Sequence, residues 1–243
     1  PAMSPESTVV RNYLDTLLDL PWKKRSRDRI DTIKVRQRLD AELIAAAARG
    51  DRSSVEELLA AGANPNRSRD EYGDRALPHA VMRGDVEIVR VLLDAGAEPN
   101  LPGGGMTPLS LAALEGHARI AGMLVRAGAD PDRKSRDGNR PLYNAALLDH
   151  AEVIEALLPG GPDFDLFNAG LPGFEGLTAL GAAAFQGSVA ALRALLEGGA
   201  DVEALDKAGR PALFYAVAKR QRGAIRVLLE HGARPGGMAV DAY

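Results

Sequence analysis

From Leu39 onward the apolar residues of this chain fall into pairs of runs that recur along its length. The first run of each pair is short and rich in alanine, as in "TPLSLAALEG". The second places larger aliphatic residues on one stripe at helical spacing, as with Ile120, Leu124 and Val125. A break, usually a glycine, separates the runs, and a turn-rich stretch such as "PDRKSRDGN" follows. The pattern predicts a short helix, a tight turn, a second helix and a projecting loop or hairpin. One such unit cannot bury its own stripe, so the units must stack to make a core.

Aligning the break positions places Gly50, Gly84, Gly116, Asp149, Gly187 and Arg220 in one slot, at spacings of 34, 32, 33, 38 and 33. Around them lie six registered copies, from "LIAAAARGDRSSVEELLAAGANPN" to "PALFYAVAKRQRGAIRVLLEHGARPG". Thr107-Pro108 supplies a cap and a proline at a helix start. Gly116 ends that helix in a left-handed turn that a Cβ would strain. Period and wording resemble the ankyrin repeat family, whose mark is T-P-L-H-x-A. The resemblance covers about 39–235 and implies an all-α solenoid of six helix-turn-helix units with projecting loops or hairpins. An N-terminal helical extension, residues 1–38, precedes it, and a tail, 236–243, follows.

Several positions depart from the pattern. Asp149 tolerates left-handed geometry at modest cost, whereas Arg220 pays more, so a distorted or early turn is expected in the last unit. Pro78 falls inside the first helix of the second unit, early enough for its missing N–H to cost little. The fourth-to-fifth spacing is five residues longer than 33, and the excess lies in "PDFDLFNAGLPGFEG", 162–176.

The first residues are unlike a repeat. Ser4-Pro5-Glu6 is a good helix start, and Val9, Val10, Tyr13, Leu14, Leu17 and Leu18 form an apolar stripe ended by Pro21. "MSPESTVVRNYLDTLLDLPWKKRS" resembles the segment of the bacterial Lon protease family that joins its substrate-binding region to its ATPase module. Thr16 stands where that family usually has Trp. No G-x-x-x-x-G-K-[ST] loop occurs, so neither ATPase nor protease activity is carried over. The segment is open to three readings: a cap for the first repeat, an element that makes the chain an adaptor, decoy or client of Lon, or a junction without function.

Composition narrows the function. Net charge is −3, but residues 1–38 carry nine basic and five acidic side chains, which leaves a mildly acidic body ill suited to nucleic acid. The basic run there reads first as a solvated helix face. Cysteine is absent, which excludes a disulfide framework and a cysteine nucleophile and leans towards a reducing compartment. No apolar run is long enough to span a membrane, and "PAMSPESTVV" is not a secretory signal as it stands. His79, His117, His150 and His231 do not fall at metal spacing. His117 and His150 follow the break, where histidine makes turn hydrogen bonds in ankyrin units. No catalytic, metal or cofactor residue is therefore assigned.

The expectation is a non-enzymatic protein-binding module in the cytoplasm of a bacterium. Its partner is an unidentified protein, with Lon as one candidate. Neither nucleic acid nor membrane is a partner; the chain is a monomer or a homodimer through its leading helix. A hidden enzyme is the reading from another class. The ankyrin resemblance implies binding through loop tips and the inner face of the first helices. That selects Tyr72, Asp74, Met106, Arg136, Arg140 and Arg210 on the tips. On the inner face it selects His79, Met82, Arg83, Leu114, Leu147 and Phe185. The long loop adds four large apolar residues. Phe167, Leu171 and Phe174 join the partner-binding candidates; folding back into the stack is the favoured placement of Phe164 and Phe167, and exposure as an anchor that of Leu171 and Phe174, nearer the tip.

Overall fold

A computed structural model describes residues 27–67, 73–168 and 176–235, with side chains from residue 32. The expected helix over Ser4–Leu18, together with Tyr72, Leu171, Phe174 and the tail, lies outside the described residues. The chain forms two compact units, Pro1–Glu98 and Pro99–Tyr243. Twelve α-helices and isolated bridges, but no strand, are found among the described residues.

The first unit holds α1 (Arg27–Arg49), α2 (Arg52–Ala60), α3 (Ala76–Met82) and α4 (Val86–Asp94). Helix α1 runs unbroken through position 38, and burial begins at Leu39. Leu39, Leu43, Ala46 and Ala47 recur at three- and four-residue spacing on its buried side, while Ile33 is exposed. Asp40, buried on α1, accepts the backbone N–H of Asn64 at 2.7 Å and so anchors the loop after α2. Pro78 is the third residue of α3, among the N–H groups that no helical carbonyl reaches, so its ring removes no hydrogen bond.

The second unit contains four copies: α5 (Pro108–Glu115) with α6 (Ala118–Arg126), α7 (Pro141–Leu147) with α8 (Ala151–Leu157), α9 (Ala179–Gln186) with α10 (Val189–Glu197), and α11 (Ala212–Ala218) with α12 (Arg222–Glu230). A single 3-10 turn, Leu158–Gly160, extends α8. Thr107 and Thr178 cap α5 and α9, each accepting a backbone N–H at 3.1 Å. Ala112, Ala113, Ala145, Ala146, Ala182, Ala183 and Ala184 are fully buried, because first helices this close together leave room for only a methyl group. The second helices contribute bulk through Ile120, Leu124, Ile154, Leu157, Leu192 and Leu195. Each such side chain is worth about 1.5–3 kcal/mol when buried, and the neighbouring copy completes that burial.

The turn slot also serves as a joint between copies. Gly116 has φ +73°, and a Cβ there would lie 2.8 Å from Cε1 of His150, one repeat further on. Nε2 of His150 donates to the carbonyl of Leu114 at 3.2 Å, at the end of α5. Ser188 and Gln221 do the same for α7 and α9: Ser188 Oγ donates to Leu147 and Gln221 Nε2 to Gln186, at 3.4 and 2.9 Å. Helix carbonyls left without an intrahelical partner are thus met from the next copy. His117 differs from the expectation, since its Nε2 is buried and finds no partner among the described residues.

Asp149 and Arg220 both occupy the slot in left-handed geometry, with φ 62° and 57°. The distorted last turn expected at Arg220 does not occur: Gln221 N–H still bonds Ala216 at 2.8 Å, as His117 N–H bonds Ala112 at 2.9 Å. The main-chain bond holds the turn shape whatever side chain is present. Asp149 has a compensation, because its carboxylate accepts the N–H of Ala191 at 2.8 Å, near the start of α10. Ser188, the residue at the cap of that helix, makes no side-chain cap.

Candidate functional site

The turn-rich stretches fold into short fingers. Ser135 N–H bonds Asn139 and Asp206 N–H bonds Arg210 at 2.9 and 3.0 Å, closing two of them. Adjacent fingers are linked by main-chain bonds, Arg136 N–H to Gly105 at 2.7 Å and Lys207 N–H to Gly176 at 3.1 Å. The long loop leaves through a neck in which Asn168, buried, accepts Arg140 N–H and donates to Leu166 and Leu177. Phe164 is half-buried, but Phe167 is 43% exposed, contrary to the expectation that both fold back. The neck bonds engage the backbone and Asn168, so Phe167 is free to point outward.

In the first unit, Asp74 and His79 meet in a short carboxylate–imidazole bond. Met82 is exposed, and the Arg83 guanidinium packs over Gly50 and donates to Ala48. In the second unit, Met106, Leu114 and Leu147 are half-buried and Arg136 is exposed. Arg140 is engaged internally: Nε donates to Asp132 at 2.9 Å, and Nη1 donates to the Phe167 carbonyl.

Phe185 and Arg210 are brought together around a core that sequence reading did not single out. Asp206, 5% exposed at the base of the last finger, accepts Ala208 N–H, Arg210 N–H and Arg210 Nε–H at 2.8, 2.8 and 3.2 Å, and also the Tyr215 hydroxyl. Four donors offset the cost of burying one carboxylate. Burial and then the bond to Asp206 hold the Tyr215 phenol well above its ordinary range. The Tyr215 ring meets Phe214 and Phe185 edge-on, with centroids 5.3 and 6.4 Å away. Arg210 lies 5.1 Å from the Tyr215 ring centre, and Lys219 Nζ 4.4 Å from that of Phe185. The sequence offered an acid at Asp206 and two adjacent aromatics, Phe214 and Tyr215, in the last copy, but nothing along the chain pairs them.

Such an arrangement can hold and recognise; its one hydroxyl, on Tyr215, is buried and donates to Asp206. Among the described residues no group of His, Asp and Glu could hold a metal, and no helix is long and apolar enough to cross a membrane.

Along the face made by α5, α7, α9 and α11, outward positions vary between copies. Leu114, Leu147 and Phe185 occupy one slot, and Glu115, Leu148, Gln186 and Lys219 the next. Two buried slots beside them are constant: Leu109, Leu142, Leu180 and Leu213 fill one, and Ala112, Ala145, Ala183 and Ala216 the other.

Comparison with known proteins agrees with this geometry. A family model described as ankyrin repeats (3 copies) matches residues 43–135, 103–168 and 142–238. The B-cell lymphoma 3 protein homolog of Mus musculus is 36% identical over 132 residues, which are 52% of this chain and 28% of that protein. The crystal structure of the ankyrin repeat domain of Bcl-3, a member of the IkappaB protein family, superposes with a TM-score of 0.70 at 25% identity, covering 79% of this chain and 86% of that one. Lon protease of Halothermothrix orenii is 55% identical over 42 residues, 17% of this chain and 5% of the protease. Lon protease 2 of Desulfotalea psychrophila is 62% identical over 34 residues, 14% and 4% of the two chains. These protease matches lie in the N-terminal region. The chain thus spans under a third of the mouse relative and about a twentieth of the proteases. With a matching family model over 43–238 and that fold beneath it, the chain belongs to the ankyrin repeat family.

Proposed function

We propose that this protein is a non-enzymatic binding module that holds a partner protein on the first-helix face and fingers of its repeats, in the cytoplasm of a bacterial cell. The observation that carries this reading is the contrast between slots. Two buried slots keep leucine and alanine in every copy of the second unit, while exposed positions vary and include Leu148, Phe167 and Val217, each 43% exposed. Large apolar side chains that the fold does not consume are suited to anchoring an interface. Affinity capture from the source cell, with the wild type and with Phe167→Ser or Phe185→Ala, tests it. A specific partner retained by the wild type and weakened by either change is the expected result. Identical capture by all three refutes the assigned surface.

A second reading is favoured by the protease matches. The Lon-like N-terminal region binds Lon subunits and makes the chain an adaptor for that protease. Purified Lon should be retained by the full chain and lost when residues 1–38 are removed. No retention by the full chain ends this reading.

A further inference from the structure

We infer that the turn between α11 and α12 is a docking site for an acidic segment of a partner protein, with Arg220, Arg222 and Arg226 meeting its carboxylates and Phe185 and Val217 its apolar side chains. This rests on the protein-binding reading and names the chemistry of the partner.

The charge is concentrated. Residues 205–234 hold seven basic and two acidic side chains, a net +5 in a chain that is −3 overall. Neither acid faces the turn. Asp206 is buried under Arg210 and Tyr215, and Glu230 pairs with Arg193 on α10 at 3.0 Å. Arg220, Arg222 and Arg226 are exposed and make no ion pair among the described residues.

Three local preferences are broken at the same place. Arg220 sits at φ 57°, in a slot that four other copies fill with glycine. Arg222 puts a positive charge at the first position of α12, against the helix dipole. Arg222 and Arg226, four apart, set like charges on one side of the helix. Nothing inside the fold answers these conflicts, as the Ala191 bond answers for Asp149. Conflicts of this kind gather where function requires the residue.

The cluster is also rigidly placed beside apolar surface. Gln221 Nε2 ties the turn to the end of α9 through Gln186 and Phe185, at 2.9 and 3.4 Å. Lys219 caps the Phe185 ring, and exposed Val217 lies one turn earlier, its carbonyl accepting Arg220 N–H at 3.0 Å. A partner segment with carboxylates around an apolar residue complements this surface. A nucleic acid is a poorer fit: the patch is local, and a long polyanion would also lie along the acidic remainder of the chain.

Fluorescence anisotropy of a labelled peptide, Glu and Ser around one Phe, tests the assignment on the full chain. A Lys-for-Glu peptide serves as control. The Glu peptide should bind and weaken with added salt. It should lose at least about tenfold in affinity in the double variant Arg220→Gly/Arg222→Gln, a tenfold loss being about 1.4 kcal/mol. The variant's thermal midpoint should match or exceed the wild type's, which separates lost binding from lost fold. Equal affinity in the variant, or equal binding of the Lys peptide, overturns the proposal. So does preferential binding of duplex DNA or anionic phosphatidylserine vesicles that the same variant abolishes. Cellular capture that survives in this variant leaves the array's binding role standing and removes this site. Peptide docking without any cellular capture by the wild type removes the general reading instead.

Discussion

The same substitution at two equivalent positions should act in opposite directions. Asp149 and Arg220 fill one slot of the repeat, both in left-handed backbone. Replacing Arg220 by glycine removes a conformational penalty of roughly 1–2 kcal/mol. It costs roughly 0.4–1 kcal/mol through the freer unfolded chain. The Arg220 side chain has no internal partner to lose, so Arg220→Gly should stabilise by about 0.5–1 kcal/mol. Asp149→Gly gains less strain relief, since Asp tolerates this geometry, and it loses the 2.8 Å bond to Ala191 N–H. A bond to a charged acceptor is worth roughly 1.5–3 kcal/mol, and the low end suits this partly exposed site. Asp149→Gly should therefore destabilise by about 1 kcal/mol. Urea titration reads both as midpoint shifts at constant slope. Amide exchange at Ala191 should accelerate in Asp149→Gly alone. Shifts of the same sign in the two variants would refute the idea that a side-chain bond distinguishes the two turns.

Other expectations follow from buried polar groups. Tyr215→Phe should cost about 1 kcal/mol at neutral pH by removing one of four donors to Asp206. Because the folded Tyr215 phenol is raised above its unfolded value, its contribution is whole below the ordinary 10.0 and is lost as pH rises beyond it. Alkaline unfolding monitored by circular dichroism should accordingly begin at lower pH in the wild type than in Tyr215→Phe. Tyr143→Phe should be neutral or stabilising by about 0.5–1 kcal/mol in urea, since the buried hydroxyl finds no partner among the described residues. A loss above about 1 kcal/mol would reveal a partner. Asn66 and Asn100 each clamp the next repeat, accepting an N–H and donating to a glycine carbonyl at 2.9 and 3.0 Å, whereas Asp132 only accepts, from Asp163. Burial raises the Asp132 carboxyl, so its penalty is absent in acid and full at neutral pH. Asp132→Asn should stabilise by about 0.5–1 kcal/mol at pH 7 and by less near pH 3.

The repeated architecture could be read from the chain because its causes are local and periodic. The alanine runs, the Thr-Pro starts and the break slot each answer a constraint that acts within one copy or at one fixed offset. Even Asp149 and Arg220 announced themselves as departures, although the main-chain bond, not the side chain, decided that both turns keep their shape. The residues most distinctive of the last copy were hidden. Asp206 and Tyr215 lie nine positions apart and become partners only when the finger folds back over α11. Lys219 reaches Phe185, and Asn168 reaches Arg140, from neighbouring copies. Phe167 was read as plugging a gap in an irregular stack, whereas its exposure depends on which atoms of the neck are bonded. Sequence determined the kind of unit and its repetition, since hydrophobic spacing and turn chemistry depend on near neighbours. Tertiary structure decided which polar groups are spent on the fold and which are left for a partner, because that depends on distances between copies that no spacing along the chain encodes.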